Sequence, residues 1–482
     1  MRTLAILALS VLLNGCAIFP QETVRAKLLP MPNLTQSLGS EALMDHIVHA
    51  WPTDKWWQAL HDVHLNSLLE TALQNNPGLR AATARLNQAK ALSDLQAADM
   101  LPTINTNVDL HYRRFSANDF YGPNGGKSFA GAYIDPVVFR YHLDLWGKDH
   151  AELEAAVGKE RAQAAELAMA KLLLSTSIAH SYMQLCTTEE EHSLLNELIK
   201  QQEAITRLAQ VRWEHGLTTQ DAMLTSTQQT EAVIQQADST HNSELKLRHR
   251  LASLVGQGPD FGNNIVCMEP HDRIAYLPTP QNLALGLLAH RPDVAATLWQ
   301  VEAAAQSIKV AKSNFYPDVN LVGFAGLRSL NLKDLFLTSG ASVAYGIGPT
   351  LSLPIFEGGR LQAELQHQQA IYDTAVENYN QTLLQAVQQV ADSLAEWRQT
   401  EAHDNSQEHS LRAAKAEVEI AHKRYQSGVS SIDGVLSAET SLIQQQLTAS
   451  KLLNAHFQAA IALIEALGGG YENTTLNTKQ TN

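Results

Sequence analysis

The chain has 482 residues, with 35 Lys and Arg against 49 Asp and Glu, for a formal net charge of −14. That acidic balance excludes a role resting on a basic nucleic-acid footprint, and the length suits two or three folded units rather than one. Aromatics are only 6% and charged residues 17% beside 45% hydrophobic residues. This composition, rich in Ala and Gln, points to long, closely packed helices rather than the mixed layers of an enzyme core.

The first sixteen residues, MRTLAILALSVLLNGC, combine a positive Arg2 with an apolar run from Leu4 to Leu13. The run is too short to span a bilayer and reads as a signal peptide. Leu13, Gly15 and Cys16 resemble a bacterial lipobox, which implies cleavage after residue 15 and acylation of Cys16. Ala17, where an Asp tends to retain such lipoproteins in the inner membrane, points to the outer membrane. Beyond Cys16 no window approaches the roughly 18 apolar residues of a transmembrane helix, so the mature chain either stays out of the bilayer or crosses it as strands.

A helix is predicted from about 78 to 100, between Pro77 and Pro102. Residues 103–113 then alternate: Ile104, Thr106, Val108, Leu110 and Tyr112 on one face, Asn105, Asn107, Asp109, His111 and Arg113 on the other. Val137, Phe139, Tyr141, Leu143 and Leu145 likewise alternate with Arg140, His142 and Asp144, giving strands at about 103–113 and 132–146. Period-2 segments of about ten residues with one apolar and one polar face suit a transmembrane barrel. A half-exposed soluble sheet is the competing reading of the pattern. From 148 to 214 an apolar stripe runs through Leu167, Leu174, Ile178, Leu185, Leu198 and Ile205 at helical spacing. Such a helix is about 100 Å long at 1.5 Å per residue. A return helix follows at about 219–255.

The same order then recurs. Pro77 and Pro102 match Pro292 and Pro317, an offset of 215, and Gly147 and Gly216 match Gly359 and Gly428, an offset of 212. Strands are therefore expected at about 318–328 and 342–356, and helices at about 360–426 and 431–467. Four strands cannot close a barrel and would leave edges unpaired in lipid. Three copies give twelve strands, enough to leave a lumen.

Several motifs together resemble the TolC-like outer-membrane efflux family, in its NodT-type lipoprotein branch. They are Trp56-Trp57 followed by Asp62, Leu65 and Leu68; Asp144-Leu145-Trp146-Gly147; Arg291-Pro292-Asp293; Phe315-Tyr316-Pro317; Leu353-Pro354-Ile355-Phe356-Glu357-Gly358-Gly359-Arg360; and Leu467-Gly468-Gly469-Gly470. The resemblance implies a mainly α fold with a β-hairpin pair per chain, a duplicated helix–hairpin–long-helix unit. It implies a homotrimer with a twelve-stranded transmembrane β-barrel continued by a periplasmic α-helical barrel. Its members are outer-membrane exit ducts of tripartite pumps, partnered by a periplasmic adaptor and an inner-membrane transporter, and they pass small molecules such as drugs or toxic organic compounds. The corresponding organisation is a signal peptide at 1–15, a lipidated segment at 16–61, repeats at 62–260 and 281–471, a linker at 261–280 and a disordered tail at 472–482.

A duct needs no catalytic residue, and no nucleophile elbow, Walker loop, HExxH or CxxC is present. Neither an enzyme activity nor a cofactor is expected. The nineteen histidines are scattered, with close groups such as His61 and His64 lying among polar residues, and no metal site is expected; Cys186 and Cys267 are expected to be inert. Asn105, Asn107, Asp109, His111, Arg140, His142 and Asp144 are expected in the barrel lumen. Gly216 and Gly428 are suited to left-handed helix ends. By resemblance Arg212, Gly216, Asp221, Arg424, Tyr425, Gly428 and Asp433 form the periplasmic tip, with Asp221 and Tyr425 in an inter-helix latch. For Asp221 and Asp433, complementing the return-helix dipole is the competing role. The rival readings are a pore-free periplasmic lipoprotein scaffold and a duct for protein secretion.

Overall fold

The computed structural model describes residues 25–30, 32, 52–118, 122–268, 290–336 and 340–472. Cys16 with the expected signal peptide, most of the expected linker and nearly all of the expected C-terminal tail lie outside the described residues. The helical elements are α1 (Val63–Asn75), α2 (Pro77–Asp99), α3 (Lys148–Glu214), α4 (Gln220–Val255), α5 (Pro292–Ser313), α6 (Arg360–Gln426) and α7 (Ile432–Ala466). The strands are β1 (Thr103–Arg114), β2 (Ser128–His142), β3 (Asp318–Ser329) and β4 (Val343–Ser352). The fold is thus mainly helical with one small sheet, and α2-β1-β2-α3-α4 is repeated as α5-β3-β4-α6-α7. Both α3 and α6 are 67 residues long. Among the described residues no helix is long and apolar enough to cross a membrane.

Two compact units draw on both repeats. One gathers Arg85–Gln163 and Thr297–Asn380 with the described part of Met1–Leu28; the other gathers Leu29–Ala84, Ala164–Ala296 and Gln381–Asn482.

The first unit holds the sheet, an antiparallel meander in the order β1-β2-β3-β4. The duplication is visible in its register. Thr103, Ile104 and Asn105 face Arg140, Phe139 and Val138; Asp318, Val319 and Asn320, each 215 positions on, face Ser352, Leu351 and Thr350, each 212 positions on. The registers then part, because β2 carries a bulge at Pro136 against both neighbours, Pro136–Val137 opposite Thr106 and Asp135–Pro136 opposite Gly326. A proline has no N–H for the ladder, so a bulge is where a paired strand can hold one. The extra residue also keeps β2 in phase: Ala132 and Ile134 before the bulge, and Val137 and Phe139 after it, share one face with Val108 and Leu110. Below the sheet, Trp146 stacks on Tyr316 at 4.9 Å and donates its indole N–H to the Pro317 carbonyl at 2.8 Å. Two of the recognised motifs therefore meet there.

Two expected strand ends move inward. Leu143–Trp146 and Leu353–Phe356 lie outside β2 and β4, although their apolar residues continue the alternation. In the first case the chain has left the sheet to start α3: Asp144 accepts the His150 backbone N–H at 3.0 Å, a helix-terminal contact.

The second unit carries the main apolar core. Trp56, Trp57, Leu65, Leu68 and Leu69 pack with Ile178, Tyr182, Met183, Leu251, Val255, Phe457 and Ile461. Asp62 is fully buried yet satisfied, capping α1 by accepting the His64 and Leu65 N–H groups and the Tyr182 hydroxyl at 2.9 Å. Arg291 donates to the Ala466 carbonyl, Asp293 and Gln389. Behind Ala466, Gly468 and Gly470 have φ of +90° and +88°, and a Cβ on either would lie about 2 Å from the backbone of His290 or Thr53. Only glycine fits there. Cys186 of α3 and Cys267 are joined in a disulfide, Cα–Cα 5.3 Å, with a sequence separation of 81. The expectation that both are inert is corrected: each is the other's partner, brought together by the return of α4.

Candidate functional sites

The sheet has one apolar and one polar face. The apolar face is set by β1 residues Ile104, Val108, Leu110 and Tyr112 and by their register partners on through Val343, Tyr345, Ile347 and Leu351 of β4. These side chains stand open, Leu110 at 68% and Tyr345 at 81% exposure. A contiguous apolar surface of this kind marks contact with a membrane or a protein. The outer edges of β1 and β4 are unpaired among the described residues.

Of the polar residues expected to share the opposite face, Asn105, Asn107, Asp109, His111 and Arg140 do so by register. His111 Nδ1 lies 3.0 Å from Asp109, and its ring packs 4.8 Å from Tyr133. His142 ends β2, its Nδ1 hydrogen-bonded to Asp149 of α3 and its Nε2 3.6 Å from Asp318. Asp144 is a correction: it lies past the strand, in the turn that starts α3. Sequence reading missed the centre of this face. Asp135, 4% exposed at the bulge, accepts two hydrogen bonds from Arg328 at 3.2 and 2.9 Å. The Arg328 guanidinium also sits 3.9 Å over the Phe324 ring, a cation–π contact. A recess of about 410 Å³ opens here, lined by Asn105, Asn107, Arg140, Phe324 and Arg328 among others. Pro136 was the available signal, since a proline inside an alternating run implies a bulge.

The helix hairpins carry the second candidate site. Gly216 and Gly428 have φ of +72° and +71°. In each hairpin the following residue donates back five positions, Leu217 to Arg212 O at 2.7 Å and Val429 to Arg424 O at 2.9 Å. The glycines donate to Trp213 O and Tyr425 O. This is the Schellman arrangement that a left-handed glycine permits, made twice by the duplicated sequence. Thr206 joins α3 to α4 through the Ser226 and Thr230 hydroxyls at 2.7 and 2.9 Å. His422 joins α6 to α7 through Glu439 at 3.1 Å.

Between the hairpins runs one strong link. The Arg212 guanidinium donates to both oxygens of Asp433, at 2.9 and 2.6 Å, a bidentate geometry stronger than a single charged bond. Those bonds, helped by the Ser431 hydroxyl at 2.7 Å, hold the Asp433 carboxyl below the usual carboxylate range against the opposing effect of burial. Asp221 occupies the first turn of α4 and is exposed, as are Arg424 and Tyr425. Among the described residues neither Asp221 nor Arg424 has an ion-pair partner, and no hydrogen bond joins Asp221 to Tyr425. Of the two arginine–aspartate combinations that the 212-residue offset relates, Arg212–Asp433 is joined within the chain and Arg424–Asp221 is not.

Comparison with known proteins places these surfaces in a family. The family model for outer membrane efflux proteins matches residues 68–257 and 285–469. The multidrug resistance outer membrane protein MdtQ of Escherichia coli O157:H7 is 29% identical over 483 residues, covering 95% of this chain and 98% of that one. The fusaric acid resistance protein FusA of Burkholderia cepacia is 32% identical, covering 75% of this chain and 68% of that protein. The crystal structure of the outer membrane protein VceC from Vibrio cholerae superimposes with a TM-score of 0.77 at 33% identity, covering 88% of this chain and all of that one.

Proposed function

The chain belongs to the outer membrane efflux protein family, and from that premise we propose that it is the outer-membrane exit duct of a tripartite efflux system. It passes small molecules, of the drug or toxic organic class, passively from periplasm to exterior. The observation that carries the reading is the four-stranded sheet, which has an open apolar face, a charged opposite face and two unpaired edges. In lipid an unpaired edge is untenable, and a further copy supplies the missing partner for β1 and for β4. Three chains give twelve strands around a wet lumen, the polar face turned inward. Asn105, Asn107, Asp109, His111 and Arg140 then line the conduit, with the Asp135–Arg328 pair among them. Cys16, acylated after signal-peptide cleavage, anchors the N-terminus to the same membrane.

The long helices continue the duct into the periplasm, where the hairpin turns meet an adaptor protein and, through it, an inner-membrane transporter that selects the substrate. The turns also hold the resting channel closed. Arg212–Asp433 is the link within a chain. The duplication makes Arg424 equivalent to Arg212 and Asp221 equivalent to Asp433, so in a ring of alternating hairpins Arg424 faces Asp221 of the next subunit. Tyr425 lies beside that second link.

Planar-bilayer recording on detergent-purified protein, with native mass spectrometry on the same sample, tests the reading. A trimer that carries stepwise ionic current is expected. A monomer that leaves the bilayer silent would return the chain to the class of pore-free scaffolds.

A further inference from the structure

We propose that His192, His241 and Glu244 form a binding site for a divalent transition-metal ion of the zinc class, bridging α3 and α4 of the first hairpin. Their donor atoms all lie within 4.8 Å of one another. The Nδ1 atoms of His192 and His241 stand 3.7 and 3.5 Å from the same Glu244 oxygen, Oε2. Those separations are too long for hydrogen bonds. They approach the edges of a tetrahedron around an ion held at 2.0–2.2 Å by nitrogen and oxygen, about 3.3 Å. Among the described residues neither imidazole makes a hydrogen bond, and their rings face one another at 5.2 Å. Two neutral imidazoles and a carboxylate are a donor set that zinc, cobalt, nickel and copper accept, with a fourth position left to water.

The carboxylate is already oriented. Its other oxygen, Oε1, accepts from Arg248 Nε at 3.0 Å. Arg248 is itself fixed by the Gly262 and Ile265 carbonyls at 3.0 Å each and by Glu189. Such outer contacts hold a ligand in place and strengthen metal binding. Glu189 also offsets the positive charge of Arg248 beside the site. Glu244 is 14% exposed and His241 52%, so the anchor is half-buried and the ion has a route in from solvent. Sequence spacing hides the site, because His192 and His241 come from different helices.

The test uses the full-length chain in detergent, with any affinity tag removed and metals stripped by a chelator. Zinc is titrated by calorimetry and cobalt by its visible absorption, which reports four-coordination. The expected result is a zinc equivalent per chain that H192A/H241A lacks, at least tenfold weaker binding in H241A, and no change in H61A/H64A. Exposed His241 makes H241A a variant that retains the trimer and the helical circular dichroism. Superimposable isotherms for the native chain and H192A/H241A, or loss of the ion in H61A/H64A instead, would overturn the assignment.

Discussion

The disulfide between Cys186 and Cys267 closes a loop that contains the end of α3, the first tip and all of α4, with a sequence separation of 81. In the chain-entropy description, a loop of about 80 residues stabilises the folded state by about 4.5 kcal/mol at 25 °C, with about 2–4 kcal/mol typical of measurement. The perturbation is C186A/C267A, or a reductant added to the native chain. Both sulfurs lie at the base of the hairpin, some 28 residues from the end of α3, or about 42 Å along the helix. The effect should therefore be local opening of the hairpin rather than loss of the sheet. Native-state hydrogen exchange read by mass spectrometry reports it directly. Protection across α4 and the 3-10 turn Pro259–Asn264 is expected to fall by 10²- to 10³-fold on reduction, while protection in β2 and β3 holds. Unchanged exchange in α4, or two thiols that titrate in the unreduced, denatured protein, would refute the reasoning.

At the tips, Asp433→Ala and Arg212→Ala should each raise channel conductance, and the double variant should match either single one, because one interaction is removed in all three cases. Asp221→Ala and Arg424→Ala should do the same through the link between subunits; conductance unmoved by any of the four would remove the latch. The depressed Asp433 carboxyl means that its link is complete above the ordinary aspartate range and is lost only as pH falls through its lowered folded value. Closure by this pair should be flat from neutral pH to about pH 5 and fail in stronger acid, as current–pH recordings would register. Cys16→Ser removes the residue that the lipobox reading acylates, so the variant should take up no lipid; intact-mass spectrometry beside the native chain, which should carry acyl groups, checks this. In the core of the second unit, Tyr182→Phe should cost about 1 kcal/mol by removing a hydrogen bond. Asp62→Ala should cost more, about 2–3 kcal/mol, by removing the α1 cap together with the carboxylate that the Tyr182 hydroxyl bonds, leaving that hydroxyl only the Val266 carbonyl at 3.2 Å; urea midpoints rank the two.

The long helices were legible because glycine and proline punctuate them and, Gly158 apart, no glycine or proline lies within. Lys148–Glu214 and Arg360–Gln426 begin and end where that punctuation places them. Alternation located the four strands but not their ends, since Leu145, Leu353 and Ile355 keep the period after the chain has left the sheet. Past β2 the chain turns into α3, where Asp144 accepts the N–H of His150. The polar face was legible at Asn105, Asn107, Asp109, His111 and Arg140, polar residues that alternate with apolar ones. Asp135 and Arg328 escaped because the pair spans 193 positions and depends on a bulge. The disulfide and the His192–His241–Glu244 cluster escaped for the same reason: helices that return on themselves bring together residues that no local spacing rule connects. At the tips, Arg212 and Asp433 stood out singly as residues beside the turns, and only the fold joined them.

Closure of the sheet into a barrel through copies of the chain is the centre of the account, and the duplication fixes how it must close. β4 should meet β1 of the next subunit as β2 meets β3. Carrying the pairs Phe139–Gly323 and Arg140–Val322 across the repeat places Leu351 opposite Val108 of the partner subunit, and Ser352 opposite Asn107 of the partner subunit. In a chain whose native cysteines are replaced, V108C/L351C should oxidise to covalently linked dimers and trimers in outer-membrane preparations, while V108C/S352C, with its side chains on opposite faces, should not. Monomers alone from V108C/L351C under oxidation would contradict barrel closure between subunits.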